Sequence, residues 1–210
     1  DAPENGLSYP PASIDRIPSV MRLRSEGGVL DRKGVVEVVS SLETDGTPIP
    51  YDIRMGVWVC VEGDTEYVRR CFEEYKVTTD PGGRVMCLYK RWHLIGLELG
   101  MSVASIALRN EAPGSPHAFR ADAVATAKRD LAAGEILDGE GGYTVYGTLT
   151  PARKSLEANY LPLGPAHNIR LRHAVPRARR LTFADVIVDE TLPAYVLRKQ
   201  MEASAASSAE

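Results

Sequence analysis

The residues most able to do chemistry stand together at Lys90-Arg91-Trp92-His93, where a strand pattern ends and a long apolar segment begins. A helix amino terminus presents free N–H groups and a partial positive charge, and basic side chains placed there strengthen an anion site. A phosphate or carboxylate on a small substrate would suit it. Lys90, Arg91 and His93 are therefore the candidate substrate contacts. The plainer alternative is a solvated turn with Trp92 anchored in the core. Glu98, on the following helix, could orient His93, pair with Arg91 or face solvent. A single histidine without a partner is weak evidence for a general base. No Ser/His/Asp or Cys/His arrangement is written in the chain, and catalytic residues stay unassigned.

A second charged feature lies further on. Arg153, Lys154, Arg170, Arg172, Arg177, Arg179 and Arg180 form a basic strip, with Glu157 as the acid among them and His167 and His173 interspersed. Such a strip could meet an anionic ligand or nucleic acid. Tyr160 is its one aromatic residue, so the stacking platform of single-strand binders is missing. A solvated face, or a contact with an acidic surface elsewhere in a larger protein, is the preferred reading. Asp138 and Glu140 sit among glycines, but the EF-hand ligand series does not follow, so a tight turn is expected. Cys60, Cys71 and Cys87 show no CxxC or zinc-ligand spacing and lie inside apolar elements. They read as reduced packing thiols in a reducing compartment, and no metal site is expected.

The elements that position these residues are legible in part. Residues 1–28 are rich in Pro, Ser and Gly and read as a linker or a partial segment. Val35–Leu42 reads as a strand closed by the turn Asp45-Gly46, and Gly56–Glu62 as a second strand. In Asp64–Tyr75 the residues Tyr67, Val68, Cys71, Phe72 and Tyr75 share one helical face, with Asp64 as candidate N-cap. Asp80-Pro81-Gly82-Gly83 is a turn, and Arg84–Tyr89 a third strand. Two strands joined through a helix are expected to share a sheet. His93–Arg109 reads as a long apolar helix. Its Gly96, Gly100 and Ala104 lie on one face and suit close packing against a sheet or subunit. The breaker-rich loop Glu111–Pro116 is the expected domain boundary.

From Asp122 the texture changes to short apolar runs separated by turn signals, the pattern of a small all-β module over residues 120–190, followed by a tail at 191–210 whose Ala/Ser-rich end, Met201–Glu210, is expected to fray. Two stretches in this part echo each other. AKRDLAAGEIL begins at Ala127 and LRHAVPRARRL at Leu171, which aligns Lys128 with Arg172, Leu131 with Val175, Gly134 with Ala178 and Leu137 with Leu181. Two half-modules sharing one core would produce such an echo. The fold class expected is α+β: a mixed sheet with packed helices over residues 29–116, then the all-β module.

Bulk composition sets the class. The chain has 210 residues, 44% hydrophobic and 25% charged, enough apolar material for a real core. The net charge of −3 gives no general attraction to nucleic acid or to an acidic membrane, and neither partner is expected. No apolar run is long enough to span a bilayer, and Asp1-Ala2-Pro3-Glu4-Asn5 lacks the features of a secretory signal. A cytoplasmic location is expected. With no initiator Met, the chain is expected to be the carboxy-terminal part of a larger protein.

The residues TAKRDLAAGEILDGE, LPLG and IRLRHAVPRARRLTFADV resemble a SAF domain, the small β-clip module also found in antifreeze proteins and at the end of sialic acid synthases. Ala178 stands where the second half usually has Gly. Upstream, RKGVVEVVSSLETDG, GVWVCVEGDTEYVRRCFEEY and HLIGLELGMSVASIALRNEAPG are similar to the region preceding the SAF domain in homoserine-dehydrogenase-like NAD(P)-dependent oxidoreductases. That group includes reductoisomerase-like enzymes that make methylerythritol phosphate, an isoprenoid precursor, from deoxyxylulose phosphate. The resemblance implies a substrate and oligomerisation domain followed by a SAF domain, a homo-oligomer, a small anionic substrate, and NADP or NAD as cofactor of the parent protein. The chain has no GxGxxG after a strand and no acidic residue placed for a ribose. The Rossmann domain is thus expected outside it, and this chain alone is expected to bind no dinucleotide and to be inactive. The alternative is a stand-alone SAF module that recognises a sugar or acts in assembly without catalysis.

Overall fold

The computed structural model describes residues 13–37, 47–48, 56–92, 94–114 and 118–207. Most of the strand expected at 35–42, and the turn at Asp45-Gly46, lie outside the described residues. The rest form two compact units, one of residues 13–33, 47–48, 56–92 and 94–114, the other of residues 34–37 and 118–207.

The first unit opens with a 3-10 turn, Ile14–Arg16, running into the four-residue helix α1 (Ile17–Val20), where Pro18 sits in the first turn and costs no hydrogen bond. Ile17 is fully buried, and α1 packs on the sheet, so residues 13–30 act as part of the fold and not as a free linker. The chain returns through an isolated bridge between Leu23 and Leu30. Strand β1 (Val57–Glu62), helix α2 (Glu66–Glu74), strand β2 (Thr78–Thr79) and strand β3 (Val85–Lys90) follow. The sheet order is β1-β3-β2 and both pairings are antiparallel. Among the described strands the sheet is antiparallel, where the sequence suggests a mixed one. The crossover through α2 does return the chain parallel to β1, but at β2. The turn at Asp80–Gly83 then inserts β3 between the two, giving a split β-α-β unit.

Thr65, not Asp64, is the N-cap of α2, its hydroxyl accepting from the Val68 N–H at 3.3 Å. Of the expected apolar face only Phe72 is buried, while Tyr67 and Tyr75 are exposed. Helix α3 (Ile95–Arg109) forms as the periodicity predicts, ending at Asn110 in the left-handed conformation. Among the described residues the tight packing expected of it is not seen: none of the helix's residues is buried, and a Cβ on Gly96 or Gly100 would meet nothing within 4 Å.

The second unit holds β4 (Ala121–Ala127), β5 (Ile136–Asp138), β6 (Val145–Pro151), α4 (Ala152–Ala158), β7 (His167–Leu171), β8 (Val186–Ile187) and α5 (Pro193–Ser207). β4 pairs with β6, and β7 lies between β5 and β8, all antiparallel. It is not purely β. The short α4 interrupts it, and the Ala/Ser-rich tail continues as α5 to Ser207. Arg198, half-buried, ties that helix down, with Nη2 2.7 Å from Asp122 Oδ2 and Nε 2.6 Å from Glu202 Oε1.

The internal echo is a structural pseudo-dyad. Leu131 and Val175 bond each other reciprocally, at 2.9 and 3.0 Å. Gly134 donates to Leu171 and Ala178 to Ala127, while Leu171 donates to Glu135 and Ala127 to Arg179. Each pair maps onto the other at the constant offset of 44 residues that separates 134 from 178. Leu131, Leu137, Leu171, Val175 and Leu181 fill one shared core with Val145, Leu161 and Val186. The chain as described is α+β.

Candidate functional site

Lys90 is the last residue of β3, and its Nζ lies 2.5 Å from Glu98 Oε1. The same oxygen accepts the Leu94 N–H at 3.1 Å. Glu98 therefore folds back over the first turn of α3 and holds the position that an anion would take at that terminus. Arg91 is exposed, with its guanidinium carbon 4.8 Å from the centre of the Trp92 ring. Trp92 is itself 56% exposed, so it is not a core anchor. No acidic side chain among the described residues pairs with Arg91, whereas Lys90 is already matched by Glu98. His93 lies outside the described residues. The structure thus brings Lys90, Glu98 and the start of α3 together, with Arg91 adjacent and exposed.

At the other end of this sheet, Glu62 and Asp80 are well supplied with donors. Glu62 pairs with Lys33 and Arg84, and Arg84 also reaches Glu26 at 3.3 Å. The bond from Lys33 pulls the Glu62 carboxyl below its ordinary value, burial opposes this, and Arg84 adds to the lowering. Asp80 is buried and accepts the Arg84 and Val85 N–H groups at 2.8 Å, with Arg22 Nη1 3.2 Å away. Burial pushes its pKa up, but these bonds outweigh it and the net shift is downward. Carboxylates held ionised in this way tie loops together and are unsuited to donate protons at neutral pH. Cys60 faces Cys87 across β1 and β3. Burial, with Cys87 adding, drives the Cys60 thiol up to about 12, and burial raises Cys87 as well. Neither offers a thiolate nucleophile at neutral pH.

Four members of the basic strip are engaged separately. Arg170 donates to the Gly134 carbonyl at 2.6 Å and Arg172 Nε to the Val186 carbonyl at 2.8 Å. Arg179 donates from Nη2 to both oxygens of buried Asp185, at 2.9 and 3.1 Å. Arg153 lies 3.7 Å from Glu157 on α4. Asp138 does serve a turn: it accepts the Tyr143 N–H at 2.6 Å and the Thr144 N–H at 3.0 Å. A Cβ on Gly142 would lie 2.2 Å from that carboxyl carbon, so the close approach requires glycine there. Sequence reasoning missed Asp185, although Thr182 and Asp185 spell a capping box. It also missed the polar face of β4, signalled by the alternation Asp122, Val124, Thr126.

Residues 1–99 match the family described as oxidoreductase DRL, catalytic domain. The matched stretch includes the whole split β-α-β unit, Lys90 and Arg91, and the first residues of α3. Over that stretch the chain is similar to an oxidoreductase catalytic domain. Among curated proteins no match was found.

Proposed function

We propose that this chain forms the substrate-side and carboxy-terminal part of an NAD(P)-dependent oxidoreductase that reduces a small carbonyl compound bearing a phosphate or carboxylate. The observation that carries this reading is the match of residues 1–99 to an oxidoreductase catalytic domain, over the same stretch that sets Lys90 and Arg91 at a strand end beside a helix start. Arg91 is the anion contact, and Lys90 joins it when substrate displaces Glu98; His93 is the third candidate.

The described residues do not fit the dinucleotide itself. The turn from β1 into α2 reads Glu62-Gly63-Asp64-Thr65-Glu66, with carboxylates where a pyrophosphate would need bare N–H groups, and Thr65 already caps that helix. The cofactor, NADP or NAD, is assigned to a Rossmann domain outside this sequence. The chain alone is then inactive, and the parent is a cytoplasmic homo-oligomer. Residues 120–190, with their pseudo-dyad, are assigned to a SAF-like β-clip.

Calorimetry tests the assignment. NADPH should give no heat of binding with this chain, and tight binding would overturn the placement of the cofactor. In the protein extended by its natural upstream sequence, Arg91→Ala should raise KM roughly tenfold or more, the cost of one charge-assisted contact. Unchanged kinetics would reject Arg91 as the anion contact.

A further inference from the structure

A cleft of about 560 Å³ opens in the second unit, walled by Thr126, Tyr146, Thr148, Tyr160, Arg180 and Thr182, with Ala178 at its lip. Its volume lies within the range of small-molecule sites. Its lining is unusual for a strand pair. β4 and β6 bury Ala125, Ala127 and Val145 on their core face, yet the opposite face carries Thr126 and Thr148, only 2% and 4% exposed. Their hydroxyls lie 2.8 Å apart.

Arg180 closes this group. It bridges Thr126 through the backbone, its Nε lies 3.2 Å from Thr148 Oγ1, and its guanidinium carbon is 5.8 Å from the Tyr160 ring centre. The side chain is held at Nε and by the ring, and no carboxylate among the described residues pairs with it. Its neighbour Arg179 shows the contrast, being committed to Asp185. An arginine fixed at Nε presents its terminal nitrogens as a fork, which suits a carboxylate or phosphate. The Thr126 and Thr148 hydroxyls are buried against each other and the Thr182 hydroxyl donates to Asp185, so they shape the floor, while the half-buried Tyr146 and Tyr160 are the wall side chains able to meet the hydroxyls of a ligand. Ala178 adds a further mark. It holds φ 64° at the lip, where the equivalent residue of the first half-module is Gly134, and an alanine kept in that conformation is strained.

We infer that this cleft binds a small hydroxylated oxyanion, a sugar acid or sugar phosphate, with Arg180 holding the anionic end and Tyr146 and Tyr160 meeting the carbon chain. The site stands apart from the oxidoreductase reading, since all its residues lie outside the stretch 1–99 that carries it.

Amide NMR of the full chain at constant ionic strength tests this, with gluconate, glucose 6-phosphate and uncharged glucose as probes. One or both anions should give saturable shifts centred on Thr126, Thr148, Tyr160 and Arg180, with glucose much weaker; whichever anion binds more tightly identifies the headgroup. Arg180→Gln keeps a donor for Thr148 but removes the charge, and should weaken binding roughly tenfold or more with the spectrum still dispersed. Should that variant unfold, Tyr160→Phe, which removes one hydroxyl from the wall, should still weaken binding measurably. No shifts with either anion, glucose binding as tightly as both, or full affinity in a folded Arg180→Gln protein would each overturn the proposal.

Discussion

Asp185 shows how one side chain can organise a module. It is buried, yet it accepts from His173 Nε2 at 2.7 Å, from Arg179, and from both the N–H and the hydroxyl of Thr182 at 2.7 and 2.8 Å. Burial opposes its ionisation, and these donors outweigh burial, so its pKa lies below the ordinary carboxylate value. Asp185→Ala should cost about 3 kcal/mol in urea unfolding, because it strands several donors at once. Asp138 provides the pH-dependent case. Burial again opposes ionisation, but the Thr144 hydroxyl and the Tyr143 and Thr144 N–H groups bring it from 3.8 to about 2. A depressed folded value adds stability above the unfolded pKa and loses it as pH falls through the folded one. The advantage of the natural protein over Asp138→Asn should therefore be full at neutral pH and shrink between 3.8 and about 2, as urea midpoints across that range would show.

At the scale of elements, the pseudo-dyad allows an internal comparison. Gly134 and Ala178 occupy equivalent left-handed turns, at φ 79° and 64°. Glycine adopts that conformation without penalty, whereas alanine pays for its Cβ. Gly134→Ala should destabilise by about 1 kcal/mol, and Ala178→Gly should be neutral or stabilise by up to about 1 kcal/mol, as relieved strain competes with unfolded-state entropy. Paired urea melts decide this, and equal responses at the two sites would remove the asymmetry. The split β-α-β unit illustrates a different limit. The strand at 57–62, the helix at 66–74 and the strand at 85–90 were readable from period and turn chemistry. Thr78–Thr79 was too short to register, and missing it concealed that β1 and β3 run antiparallel.

At the scale of the whole molecule, the first unit carries a broad exposed apolar surface. Leu97 and Leu108 of α3 are 72% and 83% exposed, and Val57, Val59 and Leu88 line an exposed sheet face of the same unit. Apolar surface on this scale is costly in water and marks an interaction site. With the homo-oligomer proposed above, analytical ultracentrifugation should find this chain as a dimer or larger. Leu97→Glu with Leu108→Glu should shift it toward monomer with little change in thermal stability, because neither residue is buried in the fold. A wild-type monomer at high concentration would reject that role for α3.

The sequence by itself determined the local elements, because periodicity and turn residues act over a few positions. It also determined the equivalence of Leu131 with Val175 and of Gly134 with Ala178, because a repeat is written into the chain; that Leu131 and Val175 then bond each other is a property of the tertiary structure. Only the tertiary structure decided where the charges went. Glu98 met Lys90, Arg179 was taken by Asp185, and Arg180 was left facing a hydroxyl-lined cleft. Ion pairing depends on which side chains distant segments bring within a few ångströms, and no local pattern encodes that distance.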